Sequence, residues 1–431
     1  MAEISLSDTK TAAVMPVAAE RIPVDHEPTI DCRICGGKTF VLLDLGHHPF
    51  ANALVSSLHD PVKIYPLVLL ICRQCSAAQL SYCADSHELY DNYNYITPVS
   101  GELTAHYGKI LDFLKGKGFL SSSSRLLEIG SNIGRFLEFV SPHVRSVTGV
   151  DPASNVAAMA NQRGISTLNS FFNSEAAQRL LAFEGRKSVI VARHCFAHNE
   201  KPWRMLEGVQ ILLSDEGTLI IENAYFLDTM VKQEFDQVYH EHMYYYSVRS
   251  ISEILKRYGM ILVDVMHSAI HGGTMTFVAK LACAGYPTSE EVKKYLESEK
   301  DLHQPGYYAD FRTRLQQNKE DMIRLLLRLK SEGKSVHAYG ASAKSTTLFN
   351  YYGIRKDLVP MVVDSTPTKQ GKYIPLANIK VISEEEAMLN PPDYYLLTIW
   401  NYKDEIIKKV RSWGNHKTKF ILPHPKVEIV D

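Results

Sequence analysis

Apolar positions along this chain change their spacing several times, and each change marks an element or a boundary. Over residues 29–100 they come in short runs, FVLLDL and YPLVLLIC, set among turn residues and paired cysteines. Such a module has too little core to stand without help. Over residues 101–284 the period alternates. HYGKILDFLKGKGF has helical spacing, RLLEIG is a continuous apolar run of the buried-strand kind, and RFLEFVSPH is helical again. SVTGVD, KSVIVAR, the helical run through RMLEGVQILL and the strand-like GTLIIENAY extend the alternation, which predicts a parallel sheet with crossover helices. Residues 285–334 carry charged amphipathic helices, EEVKKYLESEKDL and FRTRLQQNKEDMIRLLLRLKSEG, and predict a helical connector. Residues 335–431 open a second α/β unit with the strand SVHAYG, the helix SAKSTTLFNYYG and the strand VPMVVD, and PDYYLLTIW and KFILPHP read as further strands. The first 28 residues are small and polar and read as a disordered tail.

At 431 residues the chain needs more than one core, in keeping with these boundaries. The 47 basic and 48 acidic residues leave a formal charge of −1, which gives no general attraction for nucleic acid or an anionic membrane. No apolar run approaches the roughly 20 residues of a membrane span. The N-terminus lacks the basic start and compact apolar stretch of a secretory signal, and Cys83, Cys195 and Cys283 stand singly, so a cytoplasmic, reducing location is expected.

The other four cysteines form two knuckles, Cys32-Arg33-Ile34-Cys35 and Cys72-Arg73-Gln74-Cys75. Two thiolates three positions apart on a tight turn bind one ion at about 2.3 Å, and two such turns complete a tetrahedral site. A closed Cys₄ set has no open position, so the zinc it predicts is structural.

Glu128-Ile129-Gly130-Ser131-Asn132-Ile133-Gly134 ends a predicted strand and begins a helix. Gly130 permits a sharp turn and Gly134 a close helix approach. The pattern lacks the middle glycine of a dinucleotide fingerprint, which argues against a pyrophosphate lying on the turn. The next strand ends in Asp151-Pro152, where an acid accepts the hydroxyls of a ribose. The two motifs on consecutive strand ends resemble class I S-adenosylmethionine methyltransferases, with Glu128, Gly130, Asn132, Gly134, Asp151 and Pro152 as the cofactor set.

Acid–base side chains concentrate in Tyr239-His240-Glu241-His242, downstream of GTLIIENAY, where an open α/β sheet places its substrate crevice. A histidine beside a carboxylate is a general-base candidate, and a tyrosine can donate to a developing enolate oxygen. His198, just past KSVIVA, is a second candidate. Tyr93 and Tyr95 lie in the linker from the cysteine module, where either could close over a pocket.

With these motifs assembled, the chain from Cys32 onward resembles the zinc-containing sugar C-methyltransferases that install the branching methyl of deoxysugars. Three further segments carry the resemblance: FDQVYHEH (Phe235 to His242), His271-Gly272-Gly273, and Tyr339-Gly340-Ala341-Ser342-Ala343-Lys344-Ser345 with Asp364-Ser365-Thr366-Pro367 and Lys369. It implies three folded parts: an N-terminal zinc module, a central class I methyltransferase domain and a C-terminal Rossmann-like α/β domain. S-adenosylmethionine would bind the central domain, and a nucleotide-diphosphate keto sugar would lie between it and the C-terminal one. The implied chemistry is C-methylation, expected at C3 of a 4-keto-deoxysugar. His242, oriented by Glu241, removes the proton, Tyr239 holds the enolate oxygen, and His198 with Tyr93 or Tyr95 assists. Tyr339, Lys344, Asp364, Lys369 and His271 fall on the sugar-nucleotide side. Small residues and Lys344 at a helix start suit a phosphate. O-methylation of a sugar or polyketide hydroxyl and a non-catalytic scaffold are the alternatives.

Overall fold

Strands of the first regime depend on partners from elsewhere in the chain. The computed structural model describes residues 21–23, 30–85, 88–89, 96–97 and 100–431. Most of the expected tail, and both Tyr93 and Tyr95, lie outside the described residues. Within the N-terminal module, β1 (Arg21–Pro23) runs parallel to β3 (Val62–Cys72), so three residues of the expected tail pair in a sheet. β2 (Thr39–His48) and β4 (Ala78–Leu80) flank β3 antiparallel. Of β3 only Lys63 is exposed, because the strand is covered on both faces. Leu67, Leu69 and Ile71 share a core with Phe226, with Leu315 of the helix Ala309–Ser331 and with Phe349 of the C-terminal unit. The module is therefore built into the body of the protein, and a core it could not fill alone is completed by the other domains.

The central domain contains β5 (Arg125–Ile129), β6 (Ser146–Asp151), β7 (Thr167–Asn169), β8 (Lys187–Arg193) and β9 (Leu213–Ala224), all parallel. The two-residue β10 (Tyr244–Tyr245) leaves this domain to pair with β4. An antiparallel hairpin, β11 (Met260–Ser268) and β12 (Thr274–Leu281), completes the order β11-β12-β9-β8-β5-β6-β7. Helix Glu290–Ser298 and helix Ala309–Ser331 lie between the two sheets along the chain.

The last unit repeats the plan. Parallel β13 (Val336–Tyr339), β14 (Met361–Val363), β16 (Ile379–Ile382), β17 (Tyr394–Leu397) and β18 (Lys419–Leu422) lie in the order β16-β14-β13-β17-β18, with β15 (Tyr373–Ile374) and β19 (Glu428–Val430) antiparallel at the edges. The Thr346 hydroxyl donates to the Ala51 carbonyl at 2.8 Å, and Val55 pairs with Tyr373, so the cysteine module is tied to the C-terminal unit. Among the described residues no helix is long and apolar enough to cross a membrane.

Candidate active site

Two strand-to-helix turns, one in each α/β unit, share a single hydrogen-bond plan. In the central unit the Gly130 N–H donates to the Val150 carbonyl at 2.8 Å. The Asp151 carboxylate accepts from the Asn132 N–H at 2.8 Å and the Ala153 N–H at 2.9 Å. In the C-terminal unit the Gly340 N–H donates to the Val363 carbonyl at 2.7 Å, and Asp364 accepts from the Ala341 N–H at 2.9 Å and the Thr366 N–H at 2.8 Å. A Cβ on Gly130 would stand 2.7 Å from Cys195, and one on Gly340 would stand 2.7 Å from Ile399, so both turns need glycine for the same reason. The units differ in what reaches the acid. Asp151 faces open space, whereas Lys369 Nζ sits 3.6 Å from Asp364 and donates to the Ala341 carbonyl at 2.8 Å.

Between the two turns lies a cavity of about 470 Å³. Gly130, Asn132, Asp151 and Pro152 of the central unit line it, as do Lys344 and Lys369 of the C-terminal unit. His198, Tyr239, Glu241, His242 and His271 also line it. Four of the expected residues stand behind it. Glu128 is buried below the turn, where one carboxylate oxygen accepts from Arg193 Nε at 2.9 Å and Nη2 at 2.8 Å. Gly134 packs against Ile165, Asp364 anchors the second turn, and Tyr339 points into the C-terminal core with its hydroxyl donating to Glu384 at 2.7 Å.

The histidine-rich segment follows the 3₁₀ turn Phe235–Gln237 and is fastened at its far end, where the Met243 N–H donates to the Ala197 carbonyl at 2.9 Å. His242 Nδ1 lies 3.0 Å from the Gln237 carbonyl, and Nε2 lies 2.8 Å from the Tyr239 hydroxyl. The carbonyl can only accept, so Nδ1 carries hydrogen and Nε2 receives the phenol proton. Burial, reinforced by His198, holds His242 neutral well below the ordinary imidazole range, and burial with His194 lowers His198 to about 4. The expectation that Glu241 orients His242 does not hold. Glu241 accepts from Asn52 Nδ2 of the cysteine module at 2.7 Å, and the orienting group is the Gln237 backbone.

His271 enters the cavity from a strained corner with φ 57°, made possible by the two glycines beside it. A Cβ on Gly272 would come within 2.6 Å of the Glu234 carboxylate, and one on Gly273 would overlap the carboxylate of Asp228. Asp228 also pairs with Lys232 at 3.1 Å and His267 at 2.7 Å, which clamps the corner.

His194, absent from the residues expected on sequence grounds, also lines the cavity. Its Nε2 stands 3.2 Å from Glu222, a fully buried carboxylate that also contacts His106 Nε2 at 2.9 Å and accepts from the Thr276 hydroxyl at 3.2 Å. The signal that could have found it is its position directly after a central parallel strand.

The four knuckle cysteines meet as the spacing predicts. All four Sγ atoms lie within 4.8 Å of one another, with Cys32–Cys75 at 3.7 Å and Cys35–Cys72 at 3.4 Å. A tetrahedron with sulfurs about 2.3 Å from zinc has edges of about 3.8 Å, so the set fits that ion. Backbone N–H groups of Gln74 and Cys75 point at Cys72 Sγ and that of Gly37 at Cys35 Sγ, as thiolates require.

Three family models match in order along the chain: a putative zinc binding domain over residues 32–90, a methyltransferase domain over 101–265 and a C-methyltransferase C-terminal domain over 269–425. C-methyltransferase NovU from Streptomyces niveus is 30% identical over 94% of this chain and 97% of its own length. The chain belongs to the C-methyltransferase family. Two solved structures show weaker overall likeness. Magnesium protoporphyrin IX methyltransferase (ChlM) from Synechocystis PCC 6803 with bound SAM is 14% identical with a TM-score of 0.31, covering 41% of this chain and 78% of that one. N-methyltransferase NodS from Bradyrhizobium japonicum WM9 is 14% identical with a TM-score of 0.32, covering 42% and 99%.

The enzyme is an S-adenosylmethionine-dependent C-methyltransferase. Asp151 is fixed by two backbone amides and lines the cavity. The Cys₄ site is a closed zinc site.

Proposed function

We propose that this enzyme methylates C3 of a nucleotide-linked 4-keto-deoxysugar by way of an enolate. The observation that carries the reading is the continuity of one cavity from the Gly130–Asp151 turn, past Tyr239 and His242, to Lys344 and Lys369. S-adenosylmethionine, when bound, supplies the electrophilic methyl group. At the other end two lysines suit a diphosphate. Such a tether would place the sugar ring against the Tyr239–His242 pair, and holding donor and acceptor in line is worth several kcal/mol.

Proton handling follows from the tautomer of His242. The Tyr239 proton is directed to Nε2, so the phenol oxygen offers a lone pair to the cavity. As C3–H breaks, that oxygen takes the proton and passes its own to His242, while the electron pair moves into the enolate. C3 then forms its bond to the methyl carbon as the methyl–sulfur bond breaks.

The test is mass spectrometry of nucleotide-linked keto sugars with S-adenosylmethionine, read for the gain of one CH₂, together with deuterium wash-in at C3 when the methyl donor is withheld. Methyl gain without any capacity for wash-in would move the acceptor to oxygen and end the enolate reading.

A further inference from the structure

S-adenosylmethionine carries more than a sulfonium. Its amino-acid end bears a carboxylate, and a pocket for that group needs donors with no other acceptor. We propose that Arg135 and Arg193, with the Tyr107 hydroxyl, hold the carboxylate of the methyl donor. This role concerns the donor alone and is independent of which acceptor is methylated.

Arg135 follows Gly134 in the short helix Arg135–Val140, and its side chain lines the cavity. Its Nε is buried and has no hydrogen-bond partner. Nη1 lies 3.6 Å from Glu138, and the same Glu138 oxygen already accepts from Arg163. A guanidinium is always charged and can only donate, so a buried N–H without an acceptor is costly until a ligand supplies one.

Arg193 ends β8 and also lines the cavity, with 11% of its side chain exposed. Its guanidinium lies 4.6 Å from the Tyr107 ring and 4.1 Å from the ring of Phe136, the residue after Arg135. Nε and Nη2 are committed to one oxygen of Glu128, which leaves Nη1 outside that pair. Tyr107, on the helix Gly101–Gly116, completes the set. Its hydroxyl is buried against Arg193, which cannot accept, so the phenol proton has no acceptor either.

Charge points to an anion. Three guanidiniums, Arg135, Arg163 and Arg193, meet two carboxylates, Glu128 and Glu138. One positive charge is left over, and of these five groups only Arg135 and Arg193 line the cavity. Asp151 lines it too, but its two oxygens already accept from the Asn132 and Ala153 amides. A planar carboxylate matches the donor fork of a guanidinium. Tyr107, Arg135 and Arg193 all fall within residues 101–265, the span of the methyltransferase domain model, whereas Lys344 and Lys369 belong to the C-terminal unit. The arginines therefore suit an anion carried by the methyl donor, and the lysines suit one carried by the acceptor.

Calorimetry on the zinc-loaded full chain tests this with two ligands, S-adenosylhomocysteine and its decarboxylated analogue, which lacks only the carboxylate. Wild type should prefer S-adenosylhomocysteine by about ten-fold or more, the usual weight of hydrogen bonds to a charged group. Arg135→Gln should remove most of that preference by weakening S-adenosylhomocysteine, while the analogue stays within about two-fold of wild type. Arg193→Lys keeps a charge for Glu128 but loses the fork, and Tyr107→Phe loses only the hydroxyl. Each should narrow the preference several-fold. Equal losses for both ligands in Arg135→Gln would mean that Arg135 only supports the turn, and would overturn the proposal. A wild type indifferent to the carboxylate overturns it as well, as does a preference that survives in the variants. Should Arg135→Gln fail to fold, the wild-type preference and Tyr107→Phe decide the matter by the same criteria.

Discussion

The Tyr239 hydroxyl stands 2.8 Å from Nε2 of His242, and the Gln237 carbonyl on Nδ1 makes the direction of that bond one-way. Removing either member should therefore stop the same step. Tyr239→Phe and His242→Asn should each lower kcat about 100-fold or more, the usual weight of a positioned acid–base group. Cofactor affinity measured by calorimetry should stay near wild type in both. A Tyr239→Phe enzyme that keeps normal wash-in would show that the proton reaches His242 directly.

Zinc should matter through mechanics. Cys75 leads within three residues into β4, which pairs with β10, and the Leu80 N–H donates to the Met243 carbonyl at 2.9 Å. Met243 is in turn bonded to Ala197, the neighbour of His198. Chelation or Cys72→Ser should lower the thermal midpoint by many degrees, because binding free energy of a structural metal is folding free energy. Amide exchange at Met243 should rise with it. Activity lost at unchanged midpoint and unchanged exchange would give the ion a chemical part.

Much of this architecture was legible because its signals are local. RLLEIG and KSVIVAR read as strands since parallel strands buried on both faces are continuously apolar, and the cysteine knuckles declare themselves by spacing. What failed to read is what depends on direction or distance. Glu241 precedes His242 in sequence, which suggested partnership, yet their side chains diverge and Glu241 ends on Asn52. Tyr339 and Ala338 alternate across β13, so Tyr339 serves the core on the opposite face from the cavity motif it introduces. The pairing of His194 with Glu222 arises only from strand register, and the hairpin β11–β12 was hidden because its runs lack any crossover helix between them. The reason for Gly272-Gly273 lies in Asp228 and Glu234, carboxylates supplied by a different element.

Acid should weaken the fold through histidines at the seam of the cysteine module. Burial lowers His48 to about 4 and His240 to about 3, where His240 packs among Phe50, Tyr65 and Tyr82 and bonds the Pro66 carbonyl at 3.2 Å. In the unfolded chain both titrate near 6.5. Between these values the unfolded state binds protons that the folded state excludes, so stability falls as pH drops below about 6.5 and levels off only beneath the folded values. Each tenfold loss of proton affinity on folding is worth about 1.4 kcal/mol per group. Urea midpoints of wild type and His240→Asn between pH 7.5 and pH 5 check this, both carrying the same zinc site. The variant should show the shallower pH slope, and equal slopes would mean that His240 is not held neutral.

Lys344 and Lys369 divide the C-terminal end of the cavity, and their surroundings predict different consequences for each. Lys344 lies over the Trp400 ring at 4.4 Å and 3.5 Å from Asn401 Oδ1. Burial lowers its pKa, while the carboxylates of Asp236 and Glu234 oppose that effect. Asp236 is itself held by Trp400 Nε1 at 3.0 Å and lies 3.2 Å from His424. Lys369 instead covers Asp364, the counterpart of Asp151 in the central unit. With that acid neutralised, the second turn presents net positive charge to the cavity, which suits a diphosphate and not a ribose. Lys344→Ala should raise the Michaelis constant for the nucleotide sugar several-fold with little change in S-adenosylmethionine affinity. Lys369→Ala should do more, because it removes one positive charge and also uncovers Asp364 against the incoming phosphates. The double variant Lys369→Ala with Asp364→Asn should regain part of that loss. An unchanged Michaelis constant in Lys344→Ala, or no recovery in the double variant, would leave the second unit as a packing domain whose turn merely repeats the shape of the first.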